Sequence, residues 1–222
     1  MNKFIIRVDD VGQLPDQSQP DVGLRFFKSW HRACAWGDTP MYLGVVPGVL
    51  EAEDIALAYE HVQQYGGEVC IHGYDHARGV LSSKDVLRAA NLLPGARCVI
   101  PPYNMYDEMT LEATAHLGNR PVLFGGLPRD HKYGSQPTLV RGALHIAAEP
   151  SLYVHSYALM SALAALPNYD HPIVMTFHHR WDHAELNQAA KVAAKIRRHV
   201  VEVNAAWDWY EAQNGPQDTD HA

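Results

Sequence analysis

Lys3-Phe4-Ile5-Ile6-Arg7-Val8-Asp9-Asp10-Val11-Gly12 is the stretch on which the fold is read: an apolar run that ends abruptly in two carboxylates. Phe4, Ile5, Ile6 and Val8 are nearly continuous, as in a parallel strand covered on both faces. Such a strand hands its C-terminal end to a loop, and loops at strand ends carry function. The same pattern recurs a third of the way along, where Glu68 to Ile71 leads into His72-Gly73-Tyr74-Asp75-His76. Asp10, His72 and His76 together offer one carboxylate and two imidazoles, a donor set that suits a metal and leaves positions open for water and substrate. Asp9 stands beside them as a base.

Outward from these two stretches, strand and helix alternate. Gln13 to Pro20 reads as a loop, and Asp21 to Ala35 as an amphipathic helix with Leu24, Phe27, Trp30, His31 and Cys34 at helical spacing. Met41 to Val46 is a strand closed by Pro47-Gly48, and Ala52 to Tyr65 a helix stopped by Gly66-Gly67. A helix from Ser82 or Ser83 to Leu93 follows, then a strand Cys98 to Ile100 halted by Pro101-Pro102-Tyr103, and a helix Asp107 to Leu117. Val122 to Phe124 is a strand. Leu127 to Gln136 is polar and turn-rich, either a lid or a plain surface loop. Leu139 to Ile146 and Leu152 to Val154 are each expected to contribute strand, and Tyr157 to Leu166 a helix. Ile173 to Phe177 is a clear strand that delivers His178-His179-Arg180-Trp181-Asp182 to the next loop. Ala184 to Arg198 then reads as a helix, Val200 to Val203 as a last strand, and Trp207 to Gln213 as a closing helix.

Strand-then-helix units of about 25 to 35 residues imply a parallel sheet with right-handed crossovers. In such folds the active site lies at the carboxyl ends of the strands. Asp9, Asp10, His72, His76, Tyr103 and His178 all follow strands directly, so a barrel or sheet gathers them on one rim.

At 222 residues the chain fits one domain, expected over 1–213, with a polar, acidic and disordered tail over 214–222. A formal charge of −7 argues against a nucleic-acid binder, which should carry a basic stripe. Cys34, Cys70 and Cys98 are odd in number and widely spaced, which argues against a disulfide framework and for a reducing compartment. No apolar run approaches a membrane span, and Phe4 to Ile6 is too short for a signal-peptide core. A cytoplasmic, soluble protein is expected; composition leaves its oligomeric state open.

In order and spacing, Val8-Asp9-Asp10-Val11-Gly12, His72-Gly73-Tyr74-Asp75-His76, Pro101-Pro102-Tyr103 and Val174-Met175-Thr176-Phe177-His178 resemble the motifs of the polysaccharide deacetylase superfamily, which includes carbohydrate esterase family 4. The similarity spans Phe4 to Trp181, and the double Asp and the His-x-x-x-His element are its most diagnostic parts. The resemblance implies an α/β fold, a distorted (β/α) barrel of about seven parallel strands. It also implies a divalent metal, zinc before others, and hydrolysis of an N-acetyl or similar acyl group on a saccharide. Carried over, Asp10, His72 and His76 are metal ligands, Asp9 the general base that takes a proton from water, and His178 the general acid that protonates the departing amine. Tyr103 supplies a backbone N–H to the oxyanion. Tyr74, Tyr103 and Trp181 lie near the mouth, where they either stack on a sugar ring or pack beneath loops. His179 competes with His178 for the acid role, and the residue directly after the strand is the better match.

This sequence departs from the family pattern in one place. An arginine usually precedes the Pro-Pro-Tyr element and orients the catalytic Asp; here that position is Ile100. Arg7, Arg97 and Arg180 are the candidates to replace it. Two rival readings follow: a degenerate glycan-binding module, motivated by Ile100, and a non-haem iron oxygenase, whose facial triad also takes two histidines and a carboxylate. The second Asp favours hydrolysis, because an oxygenase has no obvious need of that base.

Overall fold

The computed structural model describes residues 2–11, 31–32, 35–76, 79–125, 136–153, 159–178 and 183–216. Its strands are β1 (Phe4–Val11), β2 (Met41–Val45), β3 (Gly67–Ile71), β4 (Cys98–Val99), β5 (Val122–Gly125), β6 (Thr138–Val140), β7 (Ala143–Tyr153) and β8 (Ile173–His178). Its helices are α1 (Ala52–Tyr65), α2 (Ser83–Leu92), α3 (Glu108–Ala115), α4 (Leu159–Ala165), α5 (His183–Ile196) and α6 (Asn204–Asn214). The expected loop at 13–20 and lid at 127–136 fall wholly or almost wholly outside the described residues, as does most of the first helix; of the tail expected over 214–222, Asn214 ends the last helix, Gly215 caps it, and 217–222 lie outside the described residues.

Seven strands run parallel and close a ring in the order β1, β2, β3, β4, β5, β7, β8, back to β1; the β5–β7 pairing shuts it. This is the (β/α) barrel that the alternation of strand and helix implied. β6 lies outside the ring, antiparallel to β7.

Side-chain alternation sorts each strand into an inner and an outer face. Ile5, Tyr42, Cys70, Cys98, Phe124, Ile146 and Val174 fill the barrel. Phe4, Ile6, Val8, Leu43, Ile71, Met175 and Phe177 point outward and pack with Ala58 of α1, Val86 and Ala89 of α2, and Val192 of α5. Both sets are buried, which is why the strands read as unbroken apolar runs.

The N-terminal end of the barrel is plugged by α6, whose Ala206 and Trp207 join the inner core together with Val203. Beneath the plug, the Tyr42 hydroxyl donates to Glu202 Oε2 at 2.6 Å and accepts from the Val203 N–H at 2.6 Å. Arg97 Nε donates to Glu68 Oε2 at 3.0 Å, and its other nitrogens reach Arg120 O and Asn204 Oδ1. Burial and the Glu202 carboxylate push the Tyr42 hydroxyl well above the ordinary tyrosine range.

Two expectations are corrected. Val200 to Val203 is not a strand: Val200 makes one isolated bridge to Phe4, and the chain then turns into α6. The Val203 N–H is claimed by the Tyr42 hydroxyl and so makes no ladder. Leu139 to Ile146 is two strands rather than one, turned at Arg141 and Gly142, both at positive φ (50° and 86°). The segment Leu152 to Val154, in turn, begins as the end of β7, whose register against β8 shifts between Ala148 and Tyr153, around Pro150.

Candidate metal centre and active site

The site sits at the open, C-terminal end of the barrel and begins with an irregularity in β1. Strict alternation would send Asp9 and Asp10 to opposite faces. Between the pairs Val8↔Leu43 and Val11↔Val45, however, β1 spends two residues where β2 spends one. The extra residue is a bulge, with Asp10 in the left-handed region at φ 57°. Both carboxylates are buried at the same rim as a result.

His72 leaves β3 directly, its N–H bonded to Val45 O at 2.9 Å. The chain then reverses at Gly73 (φ 75°), where a Cβ would lie 2.9 Å from Cγ of Pro102. Only glycine combines that dihedral with that close approach. The turn returns His76 beside His72, ring centroids 5.0 Å apart, and sets it 4.9 Å from the Tyr103 ring.

Asp10, His72 and His76 do converge. One ligand atom from each lies within 4.8 Å of the others, and both imidazole Nε2 atoms stand 3.0 Å from Asp10 Oδ1. His72 Nδ1 stands 2.7 Å from Ile100 O. A carbonyl only accepts, so Nδ1 carries the proton, and in the neutral ring Nε2 then presents a lone pair to a carboxylate oxygen. Two lone pairs at that distance require a cation or a second proton between them. Burial disfavours a charged His72 ring, but the Asp10 hydrogen bond, the charges of Asp9 and Asp10 and the Ile100 carbonyl outweigh it and raise its pKa above the ordinary histidine value. The donor set, its tautomer and its surplus of negative charge fit a divalent ion.

Asp9 is held differently. Arg7, two residues earlier and therefore on the same inward face, donates from Nε to Asp9 Oδ1 and from Nη2 to Asp9 Oδ2, each at 2.6 Å. The guanidinium is fully buried, and it also reaches Asn104 Oδ1 at 2.8 Å and Gly125 O at 3.2 Å. Of the three arginines considered in place of the one missing at Ile100, Arg7 of β1 is the one that reaches Asp9 among the described residues. Arg97 lies at the opposite end of the barrel, and Arg180 is outside the described residues. The Ile100 side chain joins the inner core while its carbonyl orients His72.

Four of the seven non-glycine residues at positive φ among the described residues lie here. Asp10, His76, Tyr103 and Asn104 all adopt positive φ, between 54° and 57°. For residues other than glycine each costs roughly 1–3 kcal/mol and persists where surroundings over-determine it, typically at functional sites.

His178 occupies the register position opposite Asp9 on β8. Trp181 and His179 are outside the described residues. Tyr103 is 46% exposed, whereas one face of the Tyr74 ring carries the Arg88 guanidinium 3.6 Å from its centroid. Sequence reasoning missed Asn104, which has no motif, and left Arg7 as one of three options. The signal for Arg7 was an arginine inside an apolar strand at the spacing that shares a face with Asp9.

No protein-family model and no curated protein matches the sequence. Solved structures do match. A protein assigned as a polysaccharide deacetylase from Mycobacterium smegmatis superposes with a TM-score of 0.60 at 15% identity, covering 96% of this chain and 92% of that one. A family 4 acetyl xylan esterase from Clostridium thermocellum, solved with a cobalt ion, gives 0.52 at 10% identity, covering 98% and 95%. A 4-alpha-glucanotransferase from Thermococcus litoralis gives 0.58 at 10% identity, covering 95% of this chain but 40% of that one. At such identities the likeness speaks for fold, and one fold hosts several chemistries. In architecture, this chain is built as the polysaccharide deacetylases are, and it fits a divergent representative of that fold.

Proposed function

We propose that the protein is a divalent-metal-dependent hydrolase of a C–N amide bond, an N-deacetylase acting on a sugar-containing substrate, with zinc the first metal to try. The observation that carries this reading is the pairing of an Asp10–His72–His76 cluster with a second, arginine-braced carboxylate, Asp9, on the adjacent residue. An oxygenase triad needs the first of these and not the second. Against the degenerate-module reading, which Ile100 motivated, speaks the Arg7 guanidinium that reaches Asp9 from β1 instead. Two free thiols buried in the barrel, Cys70 and Cys98, fit the reducing, cytoplasmic setting we assign to it.

A divalent ion held by Asp10, His72 and His76 supplies Lewis acidity and an acidified water at neutral pH. Asp9, next along the chain from the ligand Asp10, accepts the proton that the attacking water releases. The turn at Tyr103 presents backbone N–H to the oxygen on which negative charge develops, and such donors are typically worth about 10²–10³ in rate. His178, level with Asp9 on the neighbouring strand, gives a proton to the leaving amine, a step for which a positioned acid contributes roughly 10²–10⁴-fold. Tyr103, exposed beside His76, offers its ring to the sugar, and Tyr74 and Trp181 are assigned to the same mouth.

The test is acetate release from N-acetylated sugars by zinc- or cobalt-reconstituted protein, comparing wild type with Asp9→Asn and His72→Ala. Wild type turns over and both variants do not. Equal rates in all three would sink the assignment. Tight iron binding with oxygen consumption would favour the oxygenase.

A further inference from the structure

We infer that Arg7 is the positioning residue of this site, a bracket that ties the base Asp9 to the turn carrying the oxyanion donor; the inference rests on the deacetylase reading above. The three guanidinium nitrogens serve three elements. Nε and Nη2 fork onto the two oxygens of Asp9 on β1, Nη2 also reaches Asn104 Oδ1 in the turn after β4, and Nη1 reaches the carbonyl of Gly125 at the end of β5. None of these partners belongs to the Asp10–His72–His76 cluster. Arg7 therefore fixes where the proton acceptor stands relative to the oxyanion donor, without holding the metal.

Asn104 is the second half of the bracket. Tyr103 and Asn104 are consecutive left-handed residues (φ 54° and 56°), and among the described residues the Asn104 side chain is anchored by Arg7. Asparagine tolerates this dihedral better than most residues, and its amide oxygen supplies the acceptor that an alanine lacks. Moving the arginine from the strand after His76 into β1 also explains how Ile100 is free to be apolar: its side chain fills the core, and only its carbonyl serves the site. A lysine at position 7 would deliver a charge but not a planar fork, so it cannot hold two carboxylate oxygens and an amide at once.

The experiment compares wild type, Arg7→Lys, Arg7→Ala, Asn104→Ala and Asp9→Asn, measuring zinc affinity by calorimetry beside kcat and KM on an N-acetylated sugar. Arg7→Lys is expected to lower kcat by about 10²-fold and Asn104→Ala by about 10-fold, the range in which supporting residues act. The zinc dissociation constant and KM stay within a factor of about three. Added guanidinium ion restores part of the rate to Arg7→Ala and none to Asp9→Asn. Should the Arg7 variants fail to fold, Asn104→Ala, which removes no charge, carries the test. Wild-type kcat in Arg7→Lys and Asn104→Ala beside an inactive Asp9→Asn overturns the bracket and leaves the deacetylase reading intact. Zinc affinity falling in step with kcat also overturns it, because Arg7 would then be building the metal site. A zinc-loaded wild type that turns over no N-acyl sugar overturns both.

Discussion

The two ends of the barrel bury charge in opposite ways. At the plugged end, Arg97 meets Glu68, and Tyr42 meets Glu202 and Val203, so each of these charged and hydroxyl groups has a partner of matching kind. At the open end Arg7 is spent on Asp9, and Asp10 faces two imidazoles, one of which has already given its other nitrogen's proton to Ile100. One end closes its electrostatic account within the chain, and the other leaves a negative charge and two nitrogen donors for a ligand.

The sharpest way to break that contrast is to remove the open end's surplus. Asp10→Ala and His72→Ala should each abolish zinc binding at micromolar metal and lower turnover by roughly 10³-fold or more, since the acidified water depends on the ion. Chelation of wild type should match them, and added zinc should reverse chelation but not the substitutions. Thermal stability without metal should fall little in Asp10→Ala, which removes a like charge from beside Asp9. A large loss there would mean that the cluster is structural.

A smaller effect is expected at the plugged end. Gly67 opens β3 at φ 91°, and a Cβ there would run into the Met41 carbonyl of the neighbouring strand. Gly67→Ala should cost about 3 kcal/mol in urea unfolding, by strain and displacement of the β2–β3 pairing, while zinc affinity and kcat of the folded fraction stay unchanged. Loss of kcat in step with stability would show the two ends to be coupled through the barrel.

How much of this was legible follows from how local each signal is. Helix starts were where a side chain caps them, because caps act over three residues: the Ser82 hydroxyl accepts from the Asp85 N–H at 3.1 Å, and Asp107 forms a capping box with Thr110, whereas the last helix, with no side-chain cap, begins at Asn204 and not at the expected Trp207. That Asp10, His72 and His76 come together was legible because Asp10 lies at the end of β1 and His72 directly follows β3, with His76 one turn further on. The bulge that lets Asp9 and Asp10 share a rim was not, since it exists only against β2. The choice of Arg7 over Arg97 was legible only in part: the shared face with Asp9 could be read, but not which end of the closed ring Arg97 faces. Val200 to Val203 misled for the same reason: its β-branched composition suits a strand, but only Phe4 is there to pair with it.

The smallest expected effect lies at neither end, yet it decides whether acid inactivation can be assigned to the open one. His31 packs between His61 and Tyr65, ring centroids 4.8 and 4.5 Å away, and His145 lies buried on the outer face of β7 beside the Tyr106 hydroxyl. Burial, helped at His31 by the charge of Arg32 and opposed by Asp38, pushes His31 down to about 4, and burial alone does the same to His145. The unfolded chain, with ordinary histidines near 6.5, then binds more protons than the folded one between those values. Stability from these two rings is complete above about pH 6.5 and is lost progressively as pH falls towards 4. The urea midpoint of metal-free protein should therefore decline from about pH 7 to about pH 5, and His31→Phe should flatten the decline by removing one proton site while keeping a ring against Tyr65. Metal-free protein is the right sample, because zinc competes with protons for His72 and His76 and would add its own pH dependence. If His31→Phe declines as steeply as wild type, the acid sensitivity belongs to other groups, with His145 the first to examine, because its pKa too is lowered by burial whereas that of His72 is raised.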